Sequence, residues 1–373
     1  MKGKNDMENA LYINLWKKLD ENFMTAPKDS KGNPQPSFLK FLALVYSTEE
    51  VELLQHMKRP GQFITTEELA DITEKPLEYI EKTMDGIHKR NALIGMGNFY
   101  SLPLPPLLLN NHQFYPEVKP DDLEAAELYQ DFFIKDKYYK YYEGSEKGTP
   151  VFRTIPVEEA IEAEQRILPA EEAHDFILNH APEEMALVPC PCRTRTEKMG
   201  VRECKDDNPV ACCIMMGPTA LHFEMQGLGK RVTREQAVAY FDEMQELGLV
   251  GQTDNALSNS SIICLCCGCC CSQLRGRTRW DNMSALLPSN FIPQAGEDCV
   301  SCEMCVDRCF FGALAIDDEL DRAVVDPEKC IGCGVCTLTC PQETLKLFRS
   351  ERATPFNTVQ EMIKTIAREN REY

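Results

Sequence analysis

The first 189 residues of this 373-residue chain contain no cysteine, although the whole chain has 19. Whatever chemistry cysteine supplies is confined to the second half, and the chain divides in two before any motif is considered. Long apolar runs are missing as well. No stretch approaches the roughly 20 apolar residues that cross a bilayer. Met1 to Phe23 offers only the short, interrupted Leu11-Tyr12-Ile13-Asn14-Leu15-Trp16, too little for a secretory leader. These absences lead us to expect a cytoplasmic chain with no membrane span, in which clustered thiols bind metal more readily than they form disulfides. An excess of cations is also missing: 40 Lys and Arg stand against 59 Asp and Glu, a net charge of −19. That balance disfavours bulk attraction to nucleic acid or anionic lipid. His56, His88, His112, His174, His180 and His222 are scattered singly, with no ligand or catalytic spacing. Gly227-Leu228-Gly229 lacks the third glycine and preceding strand of a dinucleotide fingerprint. No small-molecule substrate is identifiable, and no catalytic residue is assigned.

What is present begins with helix signals. Ser47-Thr48-Glu49-Glu50 and Thr65-Thr66-Glu67-Glu68 have the pattern of capping boxes. Pro76 opens a third helix in which Leu77, Ile80, Met84 and Ile87 recur at helical spacing. Leu93 to Leu102, with Gly95 and Gly97, suits a short hairpin. Phe38 to Tyr115 is therefore expected to form a winged-helix-like domain. It holds ten Asp/Glu and seven Lys/Arg, whereas DNA binding calls for a clear excess of cations. A protein-docking role is favoured, and nucleic acid is an unlikely partner. Further on, Asp121 to Tyr142 is expected as one helix and Gly144 to Pro156 as a linker. Helices are also expected at Ala170–His180 and at Arg234–Leu247, the latter capped by Thr233 with Gln236 and stopped by Gly248.

The strongest signal lies near the C-terminus. Cys299, Cys302, Cys305 and Cys309 follow the spacing C-x2-C-x2-C-x3-C; Cys330, Cys333, Cys336 and Cys340 repeat it, and Pro341 follows. Two such runs mark a protein with two 4Fe–4S clusters, in which the fourth cysteine of each run reaches the other cluster. One cluster is thus expected on Cys299, Cys302, Cys305 and Cys340, the other on Cys330, Cys333, Cys336 and Cys309. Leu314-Ala315-Ile316 and Ala323-Val324-Val325 can pair as small strands between the runs. Zinc sites built from the CxxC pairs are the competing reading; the x3 step and Pro341 weigh against it. From about Glu297 to Phe348 the chain resembles the bacterial two-cluster ferredoxins. The resemblance implies a pseudo-symmetric fold and low-potential one-electron transfer. One departure is Phe310, where the family usually has proline. Between Cys299 and Phe348 nine acids face four bases, an excess that suits docking on a basic redox partner protein.

Eleven cysteines remain upstream: Cys190-Pro191-Cys192-Arg193, Cys204, Cys212-Cys213, and the run Cys264-Leu265-Cys266-Cys267-Gly268-Cys269-Cys270-Cys271. The preferred expectation is one or two further iron–sulfur clusters. Cys190, Cys192, Cys204 and Cys212 would hold one; Cys264, Cys266, Cys267 and Cys269 would serve the second. A non-cubane cluster spanning both groups, a thiol–disulfide site and plain structural thiols are the alternatives. In an extended segment neighbouring side chains point to opposite sides, so the run can serve two centres. The whole chain also resembles anaerobe iron–sulfur proteins in which a winged-helix-like N-terminus and a CPCR/CCxCCC-type region precede a dicluster ferredoxin.

The expected class is α+β multidomain. Residues 1–115 would form the winged-helix-like domain, 116–185 a helical connection, 186–290 a Cys-rich metal domain, 291–350 the dicluster ferredoxin domain and 351–373 a C-terminal helix. The expected function is a subunit or adapter relaying single electrons to or from an anaerobic oxidoreductase. A redox-sensing regulator and an oxidoreductase with its own catalytic cluster are the rivals.

Overall fold

The computed structural model describes residues 2–22, 24–29, 31–115, 117–162 and 173–371. The architecture is mixed α/β. It divides into two units, residues 1–142 with 198–200 and 366–373, and residues 143–197 with 201–365.

The first unit contains α1 (Lys2–Asp20), α2 (Pro36–Val45), α3 (Thr48–Leu54), β1 (Ile64–Thr65), α4 (Thr66–Thr73), α5 (Leu77–Lys89), β2 (Ile94–Met96), β3 (Phe99–Ser101), α6 (Pro105–Leu109) and α7 (Asp122–Gln130). Both capping boxes form. The Ser47 hydroxyl accepts from Glu50 N–H while the Glu50 carboxylate accepts from Ser47 N–H, and Thr65 and Glu68 repeat the exchange. Ile80, Met84 and Ile87 bury one stripe of α5. β2 and β3 pair as the expected hairpin, and β1 pairs with the other edge of β3.

Asp121 to Tyr142 is not one helix. α7 ends at Gln130 and widens into a π-turn over Asp131–Lys135. Lys137 then takes φ 61° before α8 (Tyr139–Glu143) begins. The cause is the neighbouring pair Phe132 and Phe133, both fully buried. Adjacent residues on a regular α-helix diverge by about 100°, and the wider turn lets both rings pack inward. Phe132 meets Phe38 and Phe41, while Phe133 stacks on Tyr129.

The second unit holds β4 (Phe152–Ile155), α9 (Ala173–Asp175), β5 (Met185–Pro189), α10 (Pro191–Lys198), β6 (Cys212–Met216), α11 (Pro218–Met225), β7 (Lys230–Val232), α12 (Arg234–Glu246), β8 (Val250–Asp254), β9 (Ala256–Ser258) and β10 (Ile262–Cys266). Then come α13 (Leu274–Arg279), β11 (Phe291–Ala295), α14 (Met304–Arg308), β12 (Leu314–Asp317), β13 (Arg322–Val325), β14 (Leu345–Arg349), β15 (Phe356–Thr358) and the first part of α15 (Val359–Arg371), whose residues from 366 on belong to the first unit. The largest sheet is antiparallel, in the order β4-β8-β10-β6-β5-β7.

The expected linker from Gly144 to Pro156 therefore supplies an edge strand, β4, paired with β8. α9 continues into a π-turn over Phe176–His180; residues 170–172 of the expected helix lie outside the described residues. α12 starts at Thr233 with its Gln236 capping box, as expected. β12 and β13 pair as expected, with Ala315 opposite Val324. The C-terminal helix is α15, preceded by β15.

Alternation along β10 decides what each face of the large sheet carries. Ile263 and Leu265 enter one apolar core with Ile214, Met216, Phe176 and Phe241. Cys264 and Cys266 face the other core, with Val250, Phe291, Ile331 and Leu347.

Candidate metal centres

Two cavities lie in the dicluster domain. One is lined by Cys309, Cys330, Cys333 and Cys336 together with Phe310, Ile331 and Val335. The other is lined by Cys299, Cys302, Cys305 and Cys340 with Val300, Ile316 and Leu345. Each cavity thus takes three cysteines from one run and the fourth from the other. Backbone N–H groups point at sulfur: Gly332 N–H donates to Cys330 Sγ and Ala313 N–H to Cys309 Sγ, each at 3.4 Å.

Burial pushes the Cys333 thiol up to about 12 and raises those of Cys305, Cys330 and Cys336. Thiols held this way are poor thiolates until a cation offsets the charge. The wall of the first cavity is fixed by Gly332, at φ 70°, where a Cβ would lie 2.2 Å from Ser289 Oγ and 2.3 Å from the Phe291 carbonyl. Arg352 stiffens the same wall by donating to the carbonyls of Ser289, Phe291, Pro327 and Cys330.

Ten of the eleven upstream cysteines gather into two groups. Cys204, from the turn after α10, meets Cys267, Cys269 and Cys270, from the turn after β10, with all four Sγ atoms within 4.8 Å of one another. The Sγ–Sγ separation is 3.6 Å for Cys204–Cys267, 3.8 Å for Cys204–Cys270 and 3.6 Å for Cys269–Cys270. The Thr196 hydroxyl donates to Cys270 Sγ at 3.2 Å.

The other six form a ring in which each thiol shifts the ionisation of the next, in the order Cys190, Cys192, Cys271, Cys266, Cys264, Cys213 and back to Cys190. The sheet explains it. β6 and β10 pair Ile214 with Ile263, so the next residues along the ladder, Cys213 and Cys264, share a face. Gln252 stands opposite Cys264 on β8 and donates through Nε2 to Cys266 Sγ at 2.9 Å and Cys271 Sγ at 3.3 Å. Cys190 follows β5, where its N–H donates to the Ala211 carbonyl beside β6.

Cys204 therefore lies with Cys267 and Cys269 rather than with Cys190 and Cys192. Cys212 joins neither group. It points to the opposite face of β6 from Cys213, and its N–H donates to Tyr240 Oη on α12. Sequence reasoning passed over Cys213, Cys270 and Cys271; strand alternation at Cys212-Cys213 and Cys264–Cys266 is the signal that finds the first.

Arg193 follows Cys192 on α10 and is 1% exposed. Its Nε donates to the Val210 carbonyl, while both terminal nitrogens have no hydrogen-bond partner. Burial disfavours its charge, but the thiolates of Cys190, Cys266, Cys267 and Cys213 outweigh that and hold the guanidinium firmly protonated.

Comparison with known proteins places one part of the chain. Residues 298–344 match the family model described as a 4Fe-4S dicluster domain. That match implies two 4Fe–4S clusters. Over 82 residues the chain is 34% identical to the polyferredoxin-like subunit of an aliphatic sulfonate oxidoreductase from Pyrococcus furiosus, covering 21% of this chain and 47% of the relative. It is 32% identical over 98 residues to a polyferredoxin from Methanothermobacter marburgensis, covering 22% and 21%. It is 33% identical over 87 residues to an archaeal-type NADPH glutamate synthase from Dehalococcoides mccartyi, covering 22% and 17%. The chain spans less than half the length of each. No solved structure matches it. Among the described residues, no helix is long and apolar enough to cross a membrane.

The dicluster domain and the thiol ring share a core. Cys266 and Cys271 are buried with Ile331, Val335 and Leu347, and Cys264, Phe310 and Cys333 pack against the same cluster. Phe310, the departure from the ferredoxin pattern, closes on the upstream turn: a Cβ on Gly268 would lie 2.9 Å from Phe310 Cβ.

Proposed function

We propose that the chain is an iron–sulfur electron-transfer subunit of an oxidoreductase, relaying single electrons between a redox partner protein and its own upstream metal region. The dicluster domain supplies two one-electron centres. One is held by Cys299, Cys302, Cys305 and Cys340, the other by Cys309, Cys330, Cys333 and Cys336. The observation that carries the relay is the shared core: Cys266 and Cys271 lie in one dry apolar cluster with residues that line the first dicluster cavity. A continuous apolar shell excludes water, lowers the local dielectric and helps tune the potential of a centre beside it. The polyferredoxin-type relatives favour the same reading. The test is stopped-flow mixing of the photoreduced full chain, purified without oxygen, with an oxidised low-potential acceptor protein. Delivery of about two electrons in single-electron steps from the dicluster domain supports the relay. Intact clusters that exchange no electrons reversibly would refute it.

The N-terminal domain, residues 1–115, is read as winged-helix-like and as a protein-docking module. The order helix, strand, helix, helix, hairpin supports the first part. The second is supported by the apolar side chains on α5 and the hairpin, with Leu77, Tyr79, Met96 and Phe99 all exposed. Residues 116–185 then connect to the Cys-rich domain at 186–290, the ferredoxin domain at 291–350 and the C-terminal segment at 351–373. A cytoplasmic location under anaerobic conditions suits exposed low-potential clusters. A DNA-binding regulator would need a cationic face, and the expected outcome of a duplex-DNA anisotropy titration at low salt is no binding.

A further inference from the structure

The two upstream thiol groups differ in a way that chain order hides. Four thiolates around a single tetrahedral zinc ion, with Zn–S near 2.3 Å, stand about 3.8 Å apart. The quartet at Cys204, Cys267, Cys269 and Cys270 has that size: three of its separations are 3.6, 3.8 and 3.6 Å, and all lie within 4.8 Å. A cubane places four irons and four sulfides among its thiolates and spreads them wider. The dicluster domain shows that spread: among the described residues, no three of its cysteine Sγ atoms lie within 4.8 Å of one another. Among the described residues, the quartet is the one compact group of potential metal ligands.

The ring is different again. Cys213 and Cys264 share a face of paired strands, and Cys266 and Cys271 share the Gln252 donor, yet no three of its thiols, among the described residues, lie within 4.8 Å of one another. Six thiolates exceed what one tetrahedral ion accepts, and an open ring leaves its middle for a core of several atoms. The surroundings are those of an anionic centre. Arg193 presents two unpartnered guanidinium nitrogens at 1% exposure, a cost that negative charge nearby repays. Gln252 Nε2 donates to Cys266 and Cys271, and Ser272 N–H to Cys192 at 3.5 Å. Donors aimed at cluster sulfurs are among the means by which a protein sets a cluster's potential.

We propose that these ten cysteines hold two metal centres of different kind: one zinc ion on Cys204, Cys267, Cys269 and Cys270, and a polynuclear iron–sulfur cluster inside the ring of Cys190, Cys192, Cys213, Cys264, Cys266 and Cys271. The proposal deepens the iron–sulfur reading above. It divides the run Cys264–Cys271 between the two centres, pins the turn after β10 to the turn after α10 through zinc, and leaves Cys212 outside both.

The experiment is metal and acid-labile sulfide analysis of the full chain, purified without oxygen, as wild type and as Cys269→Ser, Cys264→Ser, Cys212→Ser and Cys333→Ser. Wild type is expected to hold one zinc and more iron than the roughly eight atoms of the dicluster domain. Cys269→Ser is expected to lose the zinc while iron and sulfide stay. Cys264→Ser is expected to lose the iron above about eight and keep the zinc. Cys212→Ser should match wild type, and Cys333→Ser should lower iron without touching zinc. Loss of iron and sulfide from Cys269→Ser would overturn the zinc assignment, and a wild type with only about eight iron atoms would overturn the ring cluster. Where a variant misfolds, zinc K-edge absorption of the wild type decides: four sulfur neighbours at about 2.3 Å support the quartet, and nitrogen or oxygen neighbours overturn it. None of these readouts depends on whether the dicluster domain passes electrons, so the relay and the partition can fail separately.

Discussion

At the scale of single residues, two positions carry more of the account than their size suggests. Gly332 takes φ 70° in the wall of the first dicluster cavity, against Ser289 and the Phe291 carbonyl. Gly332→Ala would add both a left-handed backbone penalty and a clash, together about 2 kcal/mol or more. The expected result is a lower melting temperature for the loaded protein; an unchanged melt would contradict the geometry. Arg193 is the second. Replacing it by Met removes a buried cation beside the ring thiolates. The reduced form of a cluster carries one more negative charge, so loss of the cation should lower the upstream potential and leave the two dicluster potentials in place. Potentiometric titration followed by electron paramagnetic resonance reads all three.

At the scale of elements, the local signals were legible and the long-range ones were not. Ser47, Thr65 and Thr233 announce their helices because a capping box is complete within four residues. The two cysteine runs are equally local, and their spacing alone pairs Cys309 and Cys340 with the opposite runs. β4 was hidden because Gly144, Gly148, Pro150 and Pro156 look like a loop; Phe152-Arg153-Thr154-Ile155 becomes a strand through β8, about 100 residues away. The thiol partition was hidden for the same reason. Spacing along the chain does not say which face of a strand a cysteine occupies, and Cys212 and Cys213 are separated by one sheet.

α12 offers two tests at this scale. Thr233→Ala should cost about 1 kcal/mol by removing the cap, measurable by denaturant unfolding. His174, on α9, bonds Asp242 of α12 at 2.7 Å. Its burial lowers the imidazole pKa, but Asp242 and Glu158 outweigh that, and the net shift is upward from 6.5. The folded state therefore holds the proton more tightly than the unfolded chain. The stabilisation is complete below about pH 6.5 and is lost as pH rises through the folded pKa. Wild type should lose stability across that window, and His174→Asn should show a flatter profile in thermal melts.

At the scale of the whole molecule, the second unit binds its redox elements into one packed body. Alternation on β10 gives Ile263 and Leu265 to one core and Cys264 and Cys266 to the other, where Cys333 and Ile331 of the dicluster domain also lie. That continuity is what makes a relay the favoured reading over separate structural metal sites. The central claim is that single electrons enter and leave this chain through coupled iron–sulfur centres. The most direct measurement is a stoichiometric reductive titration of the full chain without oxygen, followed by electron paramagnetic resonance. The account predicts uptake of at least about two electrons, one at a time, with spin–spin broadening as both dicluster centres become reduced, and full reversal on oxidation. A chain that holds its metal but takes up no electrons would contradict it.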